Sequence, residues 1–190
     1  MSSKPAPDPA PIDLPGEETE EPAVVEVPVD GEALRQAMRR IATPVVVVTA
    51  EAEGAPRGAT IGSFVSVSLA PPLISFNVTR KTRAHDALTQ SERFAVHFLA
   101  AEHAELASHF ALPHLTGEEQ FAPFAHRRST GGHPPILDDM LGVLICRSES
   151  RFAVGDHSIF VGSVVEVLPG RDGDPLLYHR RSYRGVGDEV

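Results

Sequence analysis

"GATIGSFVSVSLAPPLISFNVTRKTRAH", Gly58 to His85, decides the reading of this chain. "ATIGSFVSVSL" and "LISFNV" alternate large apolar with small residues and read as two strands joined at Pro71-Pro72. Small hydroxyls (Thr60, Ser63, Ser66, Ser68) fill many of the intervening positions, and the second strand runs into the cations Arg80, Lys81 and Arg83. Thr82 can cap a short helix behind them. A strand entering a helix start presents free backbone N–H groups and the positive end of the helix dipole beside cations, which suits a phosphate. A solvated basic turn reads the same way locally. The hydroxyl strand likewise has two readings: the wet face of an amphipathic strand, or a surface that a flat polar ring can approach. Gly62 and Ser63 favour close approach, and the basic turn lies one strand away.

Outward from this stretch, Asp30 can cap a helix over "GEALRQAMRRIA", with Leu34, Met38 and Ile41 on one stripe. "VVVVTA" is a β-branched run suited to a buried strand, and "EGAPRG" is turn material. "RFAVHFL" reads as a strand and "AAEHAELASHFA" as a helix. Residues 112–135, rich in Gly, Pro and His, are expected to form a surface loop. "LGVLICRSES", a turn at Gly155-Asp156 and "SIFVGSVVEVL" make a strand–turn–strand unit, and "LLYHRRSYRGV" closes the chain. Many strands, few helices and no steady strand–helix alternation predict a mostly β fold, an antiparallel barrel with appended helices.

The 190 residues suffice for one well-filled core. The net charge of -9 is concentrated at the start, where residues 1–30 carry eight acids, one lysine and seven of the 17 prolines. Residues 1–29 are therefore expected to be a disordered tail, and 30–190 a single domain. The near-neutral remainder disfavours nucleic acid as a partner. No apolar run is long enough for a membrane span, and the start has neither the basic flank nor the apolar core of a secretory signal. The single cysteine, Cys146, lies in an apolar strand-like run and reads as a buried small hydrophobe. These features favour the cytoplasm. The nine histidines show no metal-ligand spacing, so no metal is expected. There is no Gly-x-Ser-x-Gly elbow, and no Gly-x-Gly-x-x-Gly follows a strand. Covalent catalysis by a side chain lacks support, and a bound or borrowed cofactor fits better.

At these residues the chain resembles a known family. "ATIGSFVSVSLAPPLISFNVTRKTRAHDAL", "RFAVHFL", "GDHSIFVGSVVEV" and "PLLYHRRSYRGV" are similar to the flavin reductase-like proteins of the FMN-binding split barrel. That group includes the reductase components of two-component flavin-dependent monooxygenases. The resemblance covers roughly Asp30 to Val186 and implies a split antiparallel β-barrel. It implies FMN or FAD as flavin, NADH or NADPH as reductant, a homodimer, and an oxygenase that receives diffusible reduced flavin. Carried over residue by residue, it puts Thr60, Ile61, Gly62, Ser63 and Ser66 by the flavin ring, with backbone from Phe76, Asn77 and Val78. Lys81, Thr82 and Arg83 would hold the phosphate. His157 and Tyr183, with Arg180 nearby, would lie on the nicotinamide side, and His157 is the candidate catalytic residue, expected to position the nicotinamide. The chain departs from the family's habit at Gly62, often Asn or Ser, at His97, usually Asn, and at Ala84, often Thr. Two alternatives stay open: a flavin- or haem-binding barrel without turnover, and a flavin-dependent oxidase with 112–135 as its lid.

Overall fold

The computed structural model of the chain describes residues 28–128 and 133–187. The tail expected over 1–29 lies almost wholly outside the described residues. Helix α1 (Gly31–Met38) starts at Asp30, whose carboxylate accepts from the Ala33 N–H at 2.7 Å. It stops four residues before the predicted end: the amides of Arg40 and Ile41 turn back to Ala37 and Met38, the tightened geometry of a closing helix. Strand β1 (Thr43–Pro44) leads to β2 (Val46–Ala52), and β3 (Ala55–Ile61) follows after Glu53-Gly54, both at positive φ. Only those two residues make the turn, so Arg57, expected in turn material, belongs to β3. The first quoted strand, expected as one run from Ala59 to Leu69, is broken at residues 62–64. Its start belongs to β3, and its end is β4 (Val65–Leu69), which pairs with β5 (Pro72–Thr79); α2 (Arg83–Gln90) follows, capped by Thr82.

After β6 (Arg93–Phe98), a single 3-10 turn enters α3 (Ala104–Phe110). The segment expected to be a surface loop then folds as α4 (Gly117–Phe121), with β7 (His126–Arg127) and β8 (Ile136–Leu137) beyond it. A reciprocal cap holds α4: the Glu119 N–H donates to the Thr116 hydroxyl at 3.2 Å, and the Glu119 carboxylate accepts from the Thr116 N–H at 2.7 Å. Gln120 and Phe121 are buried, so this piece is wall and core rather than an excursion. The hairpin β9 (Gly142–Val154) and β10 (His157–Pro169) is the longest ladder, and β11 (Leu177–His179) and β12 (Ser182–Arg184) end the fold.

Seven strands form one antiparallel sheet in the order β3-β2-β6-β9-β10-β5-β4; β1, β11 and β12 form a second, and β7 and β8 a third. Among the described residues, no ladder closes the large sheet into a complete ring. Strand β4 pairs with β5 only as far as Ser75, and the next outward amide of β5, Asn77 N–H, donates at 2.9 Å to the hydroxyl of Ser63, just past β3. The two edges meet there side chain to backbone, and the barrel is split at that seam. Strand β2 shows why its sequence is β-branched without polar alternation. Val46 and Val48 face a core inside the barrel with Phe76, Phe94 and Phe160, while Val47, and Val45 just before the strand, face a second core with Leu99, Phe110, Phe121 and Leu137. Inside the barrel Phe76 stacks on Phe160 at 5.7 Å and meets Phe94 edge-on at 5.3 Å. Gly162 leaves room for the Phe94 ring, which a Cβ there would strike. Cys146 is fully buried, and burial pushes its thiol up to about 12.

Candidate functional site

The split leaves a cavity of about 1010 Å³. Its walls are β3 and its exit, the end of β5, the start of α2, the stripe of α1, residues 110–115 and His157 at the head of β10. Alternation explains the composition of the β3 wall: a strand that buries one face on the core leaves short side chains on the other. The Thr60 hydroxyl donates to the Ala107 carbonyl at 2.6 Å, which ties β3 to α3 and leaves its methyl and backbone for the cavity. Gly62 faces open space, and an added Cβ would meet only the Thr43 hydroxyl, at 3.3 Å. Flat groups can come against the backbone at Gly62 and Ser63.

At the other end the Thr82 hydroxyl accepts from the His85 N–H at 3.2 Å and donates to the Thr79 carbonyl at 2.9 Å. The cap fixes the helix start while the earlier amides of α2 keep no internal partner, as every helix start requires. Lys81 and Arg83 flank that start and line the cavity. Arg83 donates to the Leu115 carbonyl at 3.3 Å, and Arg57 donates to the same oxygen at 2.9 Å. Burial, and then the charge of Arg83, hold the Arg57 guanidinium below its ordinary value. Gln120 braces this wall, its amide bonding both the N–H and the carbonyl of Gly58 at 3.2 Å.

His157 is half exposed. Its Nδ1 donates to the Asp156 carboxylate at 2.7 Å, and its Nε2 faces the Thr79 hydroxyl at 3.2 Å. The acceptor at Nδ1 assigns the proton to that nitrogen and leaves Nε2 to accept from the Thr79 hydroxyl at the cavity wall. That hydrogen bond with His157 also holds the Asp156 carboxyl below the usual carboxylate range.

Thr60, Ile61, Gly62, Ser63, Asn77, Val78, Lys81, Thr82, Arg83 and His157 thus meet around one space, although the sequence separates the first and last by almost a hundred residues. Three expected residues lie elsewhere, while Phe76, expected to offer backbone alone, has its side chain sealed in the barrel core. Ser66 pairs with Ile74 on the outer strand. Arg180 occupies the β11–β12 turn at φ 51°, its N–H donating to the Arg39 carbonyl at 3.3 Å. Tyr183 packs against the second core; burial raises its phenol, with the Ser108 hydroxyl acting the other way. Neither lines the cavity. Sequence reasoning missed Arg57, Gln120 and the contribution of α1. The signal for Gln120 was present in Thr116-x-x-Glu119 before an apolar residue, a capping box that announces α4. Among the described residues, no group of three His, Cys, Asp or Glu could hold a metal ion. No described helix is long and apolar enough to cross a membrane.

Comparison with known proteins gives consistent results. Residues 38–187 match the family described as flavin reductase like domain. The chain is 36% identical over 158 residues to an FMN reductase (NADH) RutF 1 of Methylorubrum extorquens, covering 83% of this chain and 78% of that one. It is 36% identical over 154 residues to the reductase component of a 4-nitrophenol 4-monooxygenase/4-nitrocatechol 2-monooxygenase of Rhodococcus opacus, covering 80% of each. Among solved structures, the NADH:FAD oxidoreductase SgcE6 of Streptomyces globisporus C-1027, in complex with NAD and FAD fragments, superposes with a TM-score of 0.77 at 30% identity. That match covers 87% of this chain and 99% of the other.

Proposed function

The chain belongs to the flavin reductase-like family, and from that premise we propose that it oxidises a reduced nicotinamide with flavin as acceptor and supplies reduced flavin to a partner oxygenase. The observation that carries the reading is the cavity at the barrel seam, where exposed backbone at Gly62 and Ser63 and a cationic helix start border one space. The residues fit the group. Gly62 lets a planar ring lie on backbone, where peptide N–H and C=O groups can pair with ring carbonyls and nitrogens. Lys81, Arg83 and the first amides of α2 suit a phosphate ester. The backbone N–H of Asn77 is taken by Ser63, so its side chain rather than that amide is the polar group it can turn to a ligand.

Bound flavin supplies the hydride acceptor that no side chain of this protein can provide. The protein orients the reactants, holds them close and limits water between them. His157 serves as a positioning group: Asp156 anchors Nδ1–H, the Thr79 hydroxyl holds Nε2, and the ring so fixed borders the space for the nicotinamide partner. Pairing of two copies is supported by an exposed apolar surface on β4 and β10, with Val65, Val67, Leu69, Val165 and Val167 all outside the two cores. The reductase component among the relatives supports the oxygenase partner. Cytoplasmic residence follows from the need for reduced nicotinamide and suits the single free cysteine. Steady-state oxidation of NADH and NADPH with FMN and with FAD tests the reading. Turnover with at least one pair is expected, and no turnover together with no saturable flavin binding would overturn it.

A further inference from the structure

Two arginines from different elements aim at one carbonyl. Because Arg57 and Arg83 both reach the Leu115 oxygen, at 2.9 and 3.3 Å, their terminal nitrogens can be no farther apart than the sum of those distances. A neutral carbonyl satisfies one N–H of each fork and neutralises neither charge. Among the described residues no carboxylate lies within ion-pair distance of Arg57, Lys81 or Arg83. Glu119 senses Arg83 electrostatically, but its carboxylate is occupied by the Thr116 N–H. Two like charges held together at a cavity wall, with Arg57 partly desolvated, call for an anion, and paired guanidiniums match the oxygens of phosphate esters.

The α2 start with Lys81 already offers one place for a phosphate. The Arg57–Arg83 pair offers a second that shares Arg83 with the first, so the two anions it suits are adjacent: a diphosphate. Beside the pair the cavity wall is apolar. It includes Leu112, Pro113 and, from α1, Leu34 and Met38, which are 59% and 50% exposed. That is a surface for a purine ring. The cavity volume is at the upper end of what one small-molecule cofactor occupies. We propose that Arg57 and Arg83 bind the second phosphate of FAD, beside the first at the α2 start, with its adenine against Leu34 and Met38. This rests on the function proposed above and names what extends past the flavin monophosphate.

The test is Arg57→Met, which keeps an apolar stem and removes the charge. Riboflavin, FMN and FAD are titrated by quenching of flavin fluorescence, the KM for NADH is measured with FMN, and ADP is added as competitor. The affinity for FAD worsens about tenfold, the size expected for losing a charge-assisted contact, while riboflavin and FMN binding and the KM for NADH stay within about twofold. A loss confined to FAD, with ADP competing against it, is the expected result; a loss confined to NADH overturns the proposal, because that diphosphate would then stand apart from the flavin's phosphate. Equal weakening of FMN and FAD, or no change in any constant, overturns the proposal. Riboflavin binding reports folding, and if the Met variant fails that control, Arg57→Gln carries the same comparison. Normal riboflavin and FMN binding with no effect of Arg57 sinks this inference alone. Absence of flavin binding by the unaltered protein sinks the functional reading beneath it.

Discussion

Replacing His97 by asparagine isolates one proton's share of acid stability. His97 is fully buried in β6. Its Nδ1 donates to the Val47 carbonyl at 3.0 Å, and its Nε2 accepts from the Leu137 N–H at 3.1 Å, so one neutral ring clamps β2, β6 and β8. A second proton would turn Nε2 into a donor facing a donor. Burial lowers its pKa from 6.5 to about 4, with the Val47 bond opposing the shift. Because the folded value is depressed, the unfolded chain binds the proton first. The stabilisation is complete above 6.5 and is lost as pH falls towards the folded value. Each pKa unit is worth about 1.4 kcal/mol, so the loss approaches about 3 kcal/mol, with a slope near that per-unit figure inside the window. Urea unfolding followed by far-UV circular dichroism at pH 7.5, 6.5, 5.5 and 4.5 measures it. The asparagine of the variant has no proton to gain, so the stability of the unaltered protein falls more steeply, and the gap between the two narrows by about 2–3 kcal/mol at pH 4.5. Parallel curves would refute the clamp, and His97→Gln repeats the measurement if asparagine leaves too little stability at neutral pH.

The remaining predictions use other parts of the fold. His157→Ala raises the KM for the nicotinamide with flavin affinity little changed, as stopped-flow and titration would read; a selective loss of flavin affinity would contradict the positioning role. Gly162→Ala drives a methyl into the Phe94 ring and costs about 1–3 kcal/mol in urea unfolding, whereas an unchanged midpoint would mean the barrel core is looser than described. Cys146, its thiol pushed up to about 12 and fully buried, reacts with a thiol reagent at pH 8 only after denaturation. Fast reaction of the native protein would contradict that burial.

What could be read from the sequence and what could not divide along one physical line. Strands β2, β4, β5, β6, β9 and β10 declare themselves because periodicity and β-branching act on neighbours in sequence, and the cap at Thr82 is a local device of the same kind. The basic turn and the start of the hydroxyl-rich stretch both border the cavity. Arg57 did not declare itself. Its role depends on Leu115, and that meeting requires α4 to be capped at Thr116 and Gln120 to lock onto Gly58, contacts that join positions about sixty residues apart. The histidines of 112–135 misled in the same way. Composition suggested a loop, yet Gly117 is there because its α-carbon passes against the Pro56 backbone, where a Cβ has no room. Tyr183 and Arg180 show the converse: a motif brought them forward, and the small sheet β1-β11-β12 places them outside the cavity in this single chain. A pocket made of backbone and shared carbonyls leaves little compositional trace, so its far wall becomes visible only once the strands are rolled.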